Sequence, residues 1–284
     1  MKILIALEPA GGNEIVLEAA ASRPWPANST FKVVSVVEPS HLWTSSDVVE
    51  NAARSAEEVV RSGVATLPNA TAKVLFGDPR REIPEHAARF GADFILTGAR
   101  HSSVKRIGGV ASGILRRSGC SVEIVRPRLY SGVLQILLAT DGSESSQVAA
   151  RSIAERPWPV GTIVRVLSAV ELILPTGYLL FEPPSIDNSA LETAREQAMK
   201  HAQEAVDSAI AVLAAAGLST SESISVLLEP PKTIILQEAA DSGADLIVVG
   251  SHGRHGIDRL LLGSTSEAVA THAECSVEVI RGGG

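Results

Sequence analysis

Short apolar runs alternate along the chain with longer segments whose apolar residues recur every three or four positions. In the second half, QILLAT is such a run, followed by a polar turn and a helix-like segment over Glu144–Ala154. TIVRVLSAV is β-branched and predicts a strand. Met199, Ala202, Val206, Ala209, Ile210 and Leu213 then recur at helical spacing, predicting one apolar helix face that ends at Gly217. ISVLL predicts a strand, Thr233–Asp241 a helix, DLIVVG a strand, Ser264–His272 a helix and SVEVI a last strand. This alternation predicts a mostly parallel sheet with helices on both faces.

The chain also repeats itself. RPWP stands at Arg23–Pro26 and again at Arg156–Pro159, GADFILTG (91–98) answers GADLIVVG (243–250), and CSVEIVR from Cys120 answers CSVEVIR from Cys275. Matches in one order over so long a period predict two tandem α/β domains rather than a solenoid. Their expected spans are 1–128 and 132–284, each a five-stranded Rossmann-like sheet flanked by helices. The second copy carries extra residues after Glu171, in LILPTGYLLFEPPSIDNSA, and a longer glycine loop. Tyr178 and Phe181 in that insertion suit either cover over its own domain or a partner surface.

Composition narrows the picture. The chain is 45% hydrophobic but only 4% aromatic, so its core must be largely aliphatic, as in a buried parallel sheet. A net charge of −7 without a basic stripe argues against nucleic acid and anionic membrane as partners. No apolar run reaches membrane-spanning length. Two cysteines are too few for a disulfide framework, and MKILIALEP starts a strand with no signal-peptide layout before it. The expected compartment is the cytoplasm.

The candidate chemistry lies in GSHGRHGIDRLLLGSTSEAVA (250–270). In a doubly wound sheet the ligand crevice lies beyond the carboxyl ends of the strands, where strand order reverses. Glycines at 250 and 253 allow positive φ and close backbone approach, and Gly263-Ser264-Thr265-Ser266 opens a helix whose N–H groups and dipole suit a phosphate. The alternative is that the glycines serve turns and Ser264 caps the helix. No lysine stands at the P-loop position, so this is not a Walker A motif.

The spacing Gly250-x2-Gly253-x9-Gly263-Ser264, with ILLATDGSESS, SGADLIVVGSHG and CSVEVIR in order, resembles the universal stress protein family over essentially the whole chain. The resemblance implies tandem domains of the adenine-nucleotide alpha-hydrolase-like fold and binding of ATP. It implies that Asp141, with its neighbours Thr140 and Gly142, meets the nucleoside, and that Ala169 and Val170 offer backbone contacts to the adenine. By the same resemblance Gly250, His252, Gly253, Arg254, Gly263, Ser264, Thr265 and Ser266 surround the phosphates. It admits Mg or Mn beside them, although no metal-ligand cluster stands out and no catalytic residue is identifiable. Family members commonly pair through their last strands, which implies an intrachain pseudo-dimer of Val122–Val125 with Val277–Ile280. Dimerisation of whole chains stays open.

The first copy departs from this pattern. Glu8 stands where the second has Asp141, His101 replaces the second glycine, and Gly109 replaces the serine, while Gly98 and Gly108 are kept. The first half therefore reads as a degenerate partner, although Arg100, His101, Lys105 and Arg106 could still attract an anion. His252, His255 and His272 lack the company of a metal site. Arg254 and Arg259 suit either a phosphate clamp or solvent. Cys120 and Cys275 read as small buried residues, and RPWP as packing and turn structure. The functional readings are an ATP-binding stress or regulatory module, a slow ATPase or ATP-pyrophosphatase-like enzyme, and a structural protein without nucleotide.

Overall fold

The computed structural model describes residues 1–38, 46–99, 107–127, 132–171, 188–227, 229–253 and 262–282. The first half runs β1 (Lys2–Leu7), α1 (Glu14–Ser22), β2 (Thr30–Val37), α2 (Ser46–Ala65), β3 (Ala70–Phe76), α3 (Pro79–Phe90), β4 (Phe94–Gly98), α4 (Gly109–Arg117) and β5 (Ser121–Val125). The second runs β6 (Gln135–Ala139), α5 (Glu144–Ala154), β7 (Ile163–Glu171), α6 (Asn188–Ala215), β8 (Ser219–Leu227), α7 (Pro231–Asp241), β9 (Leu246–Gly250), α8 (Ser264–His272) and β10 (Ser276–Ile280). The residues of the 172–190 insertion before Asn188 lie outside the described residues.

The strands form one ten-stranded sheet in the order β3-β2-β1-β4-β5-β10-β9-β6-β7-β8. Neighbours are parallel within each half; at the seam, β5 and β10 run antiparallel, with Glu123 opposite Glu278. Side chains alternate across the pleat, so each strand serves two cores. Ile3, Ile5, Ile136 and Leu138 face α1, α5 and α6 on one side, while Leu4, Leu137, Ile247 and Val249 face α3, α4, α7 and α8 on the other. Each such side chain, fully buried, contributes about 1.5–3 kcal/mol. On α6 the expected apolar face begins at Ala202, because Met199 is exposed; Val206 and Leu213 are fully buried. The helix ends at Ala215, and Gly217 follows at φ +77°, a conformation open to glycine.

RPWP does more than pack. Trp25 and Trp158 each donate an indole N–H to a carbonyl of the preceding helix, Ala20 and Ile153, at 2.8 Å. The arginines reach under the sheet seam. Arg23 pairs with Glu123 at 2.5 Å, and Arg156 grips Glu278 with two bonds of 2.8 and 2.6 Å. Both glutamates are wholly buried, and burial pushes the Glu123 carboxyl upward while Arg23 opposes that shift. Arg126 donates across the seam to the carbonyls of Ala270 and Cys275, and Arg281 returns the exchange to Leu115. The two halves therefore meet through a matched set of bonds. Cys275 is buried as expected, whereas Cys120 is only half-buried; burial nonetheless pushes both thiols up to about 11, which leaves them inert.

Candidate functional site

The order β9-β6-β7-β8 places the reversal of strand order between β6 and β9, so the crevice opens where those two strands end. Beyond β6 the chain passes through Thr140, Asp141 and Gly142. Gly142 has φ +76°, which a side chain would resist, and this turn directs Asp141 over the strand end. Asp141 accepts from the Ser143 N–H at 3.0 Å, and Ser143 in turn caps α5 by accepting from Ser146 N.

The loop beyond β9 comes down onto this turn. Gly253 lies so close that a Cβ there would stand 3.0 Å from the Asp141 Oδ2. Gly250 is tighter: its Cβ would be 2.5 Å from the Ser145 Oγ and 2.7 Å from that residue's carbonyl carbon. Neither Gly250 nor Gly253 has positive φ, so the left-handed freedom that the sequence allows at these positions is not used. Close approach of two chain segments is the reason for glycine here. Serines stitch the segments together: Ser145 Oγ accepts from the His252 N–H at 3.3 Å, and Ser143 Oγ donates to the His252 carbonyl at 3.4 Å. Sequence reasoning did not single out Ser143, Ser145 or Ser251, although the run SESS beside TDG and the serine between Gly250 and His252 were the available signals.

Gly263 closes the loop by donating to the Ser251 carbonyl at 2.7 Å and is itself the cap residue of α8. Ser264 is thus the first helical residue, not the cap, and no side chain caps the helix. Among the described residues nothing accepts from the N–H groups of Ser264, Thr265 and Ser266, which suits an acceptor from outside the helix. Ser266 is turned inward, donating to the Gly250 carbonyl at 2.6 Å, and Thr140 similarly bonds Ser146 at 3.1 Å; both are buried. These two hydroxyls hold the frame. Thr265 is half-buried beside them on α8. Arg254 and Arg259, like His255, lie outside the described residues, as do His101, Arg100, Lys105 and Arg106.

The third wall is the end of β7. Leu167 O accepts from Thr140 N, so Leu167 presents its backbone to β6. Two residues on, Ala169 turns its backbone to the same side, level with Asp141 and past the end of β6. Val170 points the opposite way, toward β8. The Ser251 hydroxyl lies 2.9 Å from His252 Nδ1, but Ser251 is only 3% exposed and its hydroxyl also faces Ser145. Among the described residues no cluster of three or more His, Cys, Asp or Glu is placed to hold a metal, and no helix is long and apolar enough to cross a membrane.

The first half shows the same frame with different furniture. Asn13 closes the loop after β1 on itself, accepting from Glu8 N at 2.7 Å and donating to Glu8 O at 2.9 Å. Gly108 donates to the Ala99 carbonyl as Gly263 does to Ser251, but Val16 stands against Gly98 where Ser145 meets Gly250. Ala111 replaces Ser266.

The family model described as the universal stress protein family matches residues 1–126 and 133–281. A universal stress protein of Mycobacterium tuberculosis is 28% identical over 246 residues, covering 82% of this chain and 76% of that protein. A universal stress protein A homologue of Coxiella burnetii is 57% identical over 56 residues, 20% of this chain and 38% of that protein. The crystal structure of a universal stress protein from Archaeoglobus fulgidus overlays with a TM-score of 0.62 at 21% identity, covering 99% of this chain and 96% of that one.

Proposed function

The chain belongs to the universal stress protein family, and on that premise we propose that it is a regulatory module that binds one adenine nucleotide, ATP, in its second half. The observation that carries this reading is the meeting of Asp141, Gly253 and the uncapped first turn of α8 at one crevice. A carboxylate at one end suits the hydroxyls of a ribose, and free N–H groups at a helix start suit phosphate oxygens. Ala169 offers a backbone donor and acceptor level with Asp141, which suits the edge of a purine. Gly250, His252, Gly253, Gly263, Ser264 and Thr265 line the phosphate end in this reading, with Thr140, Gly142 and Ser266 holding the frame. Arg254 and a divalent ion, Mg or Mn, belong to the same proposal.

The first half, residues 1–128, is the degenerate partner of the nucleotide-binding half, residues 132–284. The antiparallel pairing of β5 with β10 supports an intrachain pseudo-dimer. The test is release of bound nucleotide from natively purified protein by denaturation, followed by mass spectrometry. Adenine nucleotide near one equivalent per chain supports the proposal. Protein that is empty and ignores added ATP refutes it in favour of a structural role.

A further inference from the structure

The two halves can be read against each other away from the crevice, and on the α3/α7 face they differ in charge. In the second half, Glu238 on α7 accepts from Arg165 Nη1 at 2.9 Å and faces Ser223 Oγ at 3.4 Å. Arg165 sits opposite Leu137 of β6 and Ser221 of β8. In the first half the matching register, opposite Leu4 of β1 and Thr71 of β3, belongs to Lys32, and Lys73 takes the place of Ser223. The residue matching Glu238, counted from Pro79 and Pro231 at the helix starts, is His86.

The first half lacks the carboxylate, keeps one cation in Lys32 and has a second in Lys73. Lys32 lies over the Phe90 ring at 4.8 Å, and Lys2 flanks the same ring at 5.6 Å. Among the described residues neither Lys32 nor Lys73 meets a carboxylate at ion-pair distance, whereas Arg89 is taken by Glu85 at 3.6 Å. His86 is only 6% exposed, and neither of its ring nitrogens has a hydrogen-bond partner. Lys73 is exposed and Lys32 half-buried, so water reaches both ammonium groups; the unfavourable feature is the buried, unbonded imidazole beside them. One oxyanion would pair with both cations and give the imidazole a partner.

We propose that the first half carries a binding site for a small oxyanion, phosphate or carboxylate, held by Lys32, Lys73 and His86 where the second half holds the carboxylate of Glu238. Lys32 lies near the amino end of β2, so the site is at the other end of the strands from the glycine loop, and it does not depend on the nucleotide reading. His86 takes up a proton when the anion binds. Burial first, then Lys73, Lys32 and Arg89, hold it below the ordinary histidine range in the free protein, with Glu82 opposing.

The test is a titration of the full chain with inorganic phosphate and, separately, acetate, at ionic strength matched with chloride. The readouts are the His86 ring resonances and the melting temperature. The expected result is a saturable shift of the ring resonances, a rise in the His86 pKa and a higher melting temperature with at least one anion. Whichever anion acts identifies the source. His86→Glu supplies the missing carboxylate from within, so it should melt higher than the parent without added anion and lose the response. Lys32→Gln should lose the response without the gain. Unmoved His86 resonances with both anions, or an equal thermal response in parent and His86→Glu, overturns the proposal.

Discussion

Replacing Arg156 by methionine should destabilise the protein more than any other single change at the seam. The guanidinium and the Glu278 carboxylate are both wholly buried and bond twice, at 2.8 and 2.6 Å. Arg156 also donates to the Ser152 carbonyl at 3.0 Å and stacks over Trp158 at 4.4 Å. Methionine fills much of the volume but leaves Glu278 charged, buried and directly opposite Glu123. Breaking one side of a buried pair costs about 3–5 kcal/mol, which for a chain of this size lowers the melting temperature on the order of 10 °C. Arg156→Met with Glu278→Leu removes both charges and should recover most of the loss. Urea unfolding followed by circular dichroism measures each step. Loss below about 1 kcal/mol for the single variant at neutral pH, or a double variant as damaged as the single, would refute the reasoning.

Gly250→Ala should cost about 1–3 kcal/mol of stability and weaken ligand binding, because the new Cβ meets the Ser145 carbonyl carbon at 2.7 Å; thermal melts and titration check both. Asp141→Ala should leave the fold intact and weaken nucleotide binding by about 1–3 kcal/mol, read by calorimetry. Cys275, buried and pushed up to about 11, should react with a thiol reagent at pH 8 only as fast as the protein opens, whereas half-buried Cys120 should react sooner but slowly for want of thiolate. Because those pKa values are raised, the stability tied to the neutral thiols is complete below about pH 9 and lost as pH approaches 11, which a pH series of melts will show.

The order of strands and helices was legible because apolar runs and helical spacing report directly on burial; Glu144–Ala154 and Ser264–His272 match the observed helices. Met199 was misplaced because spacing shows which face a residue shares, but not where cover by the sheet begins. The positions of Asp141 and the loop glycines were readable from TDG and the glycine spacing. The reason for those glycines was not, since Gly250 and Gly253 answer to Ser145 and Asp141, which are distant in sequence. The Arg–Glu pairs were hidden for the same cause. Arg23 and Glu123 are about a hundred residues apart, and only pairing across the sheet brings them together.

Calorimetric titration of ATP into the parent protein and Gly253→Val tests the central claim most directly. The parent should bind one nucleotide per chain. Folded Gly253→Val should bind far more weakly, because its side chain would crowd the Asp141 carboxylate that a Cβ alone approaches to 3.0 Å. Two equivalent sites in the parent, or parental affinity in the folded variant, would contradict the account.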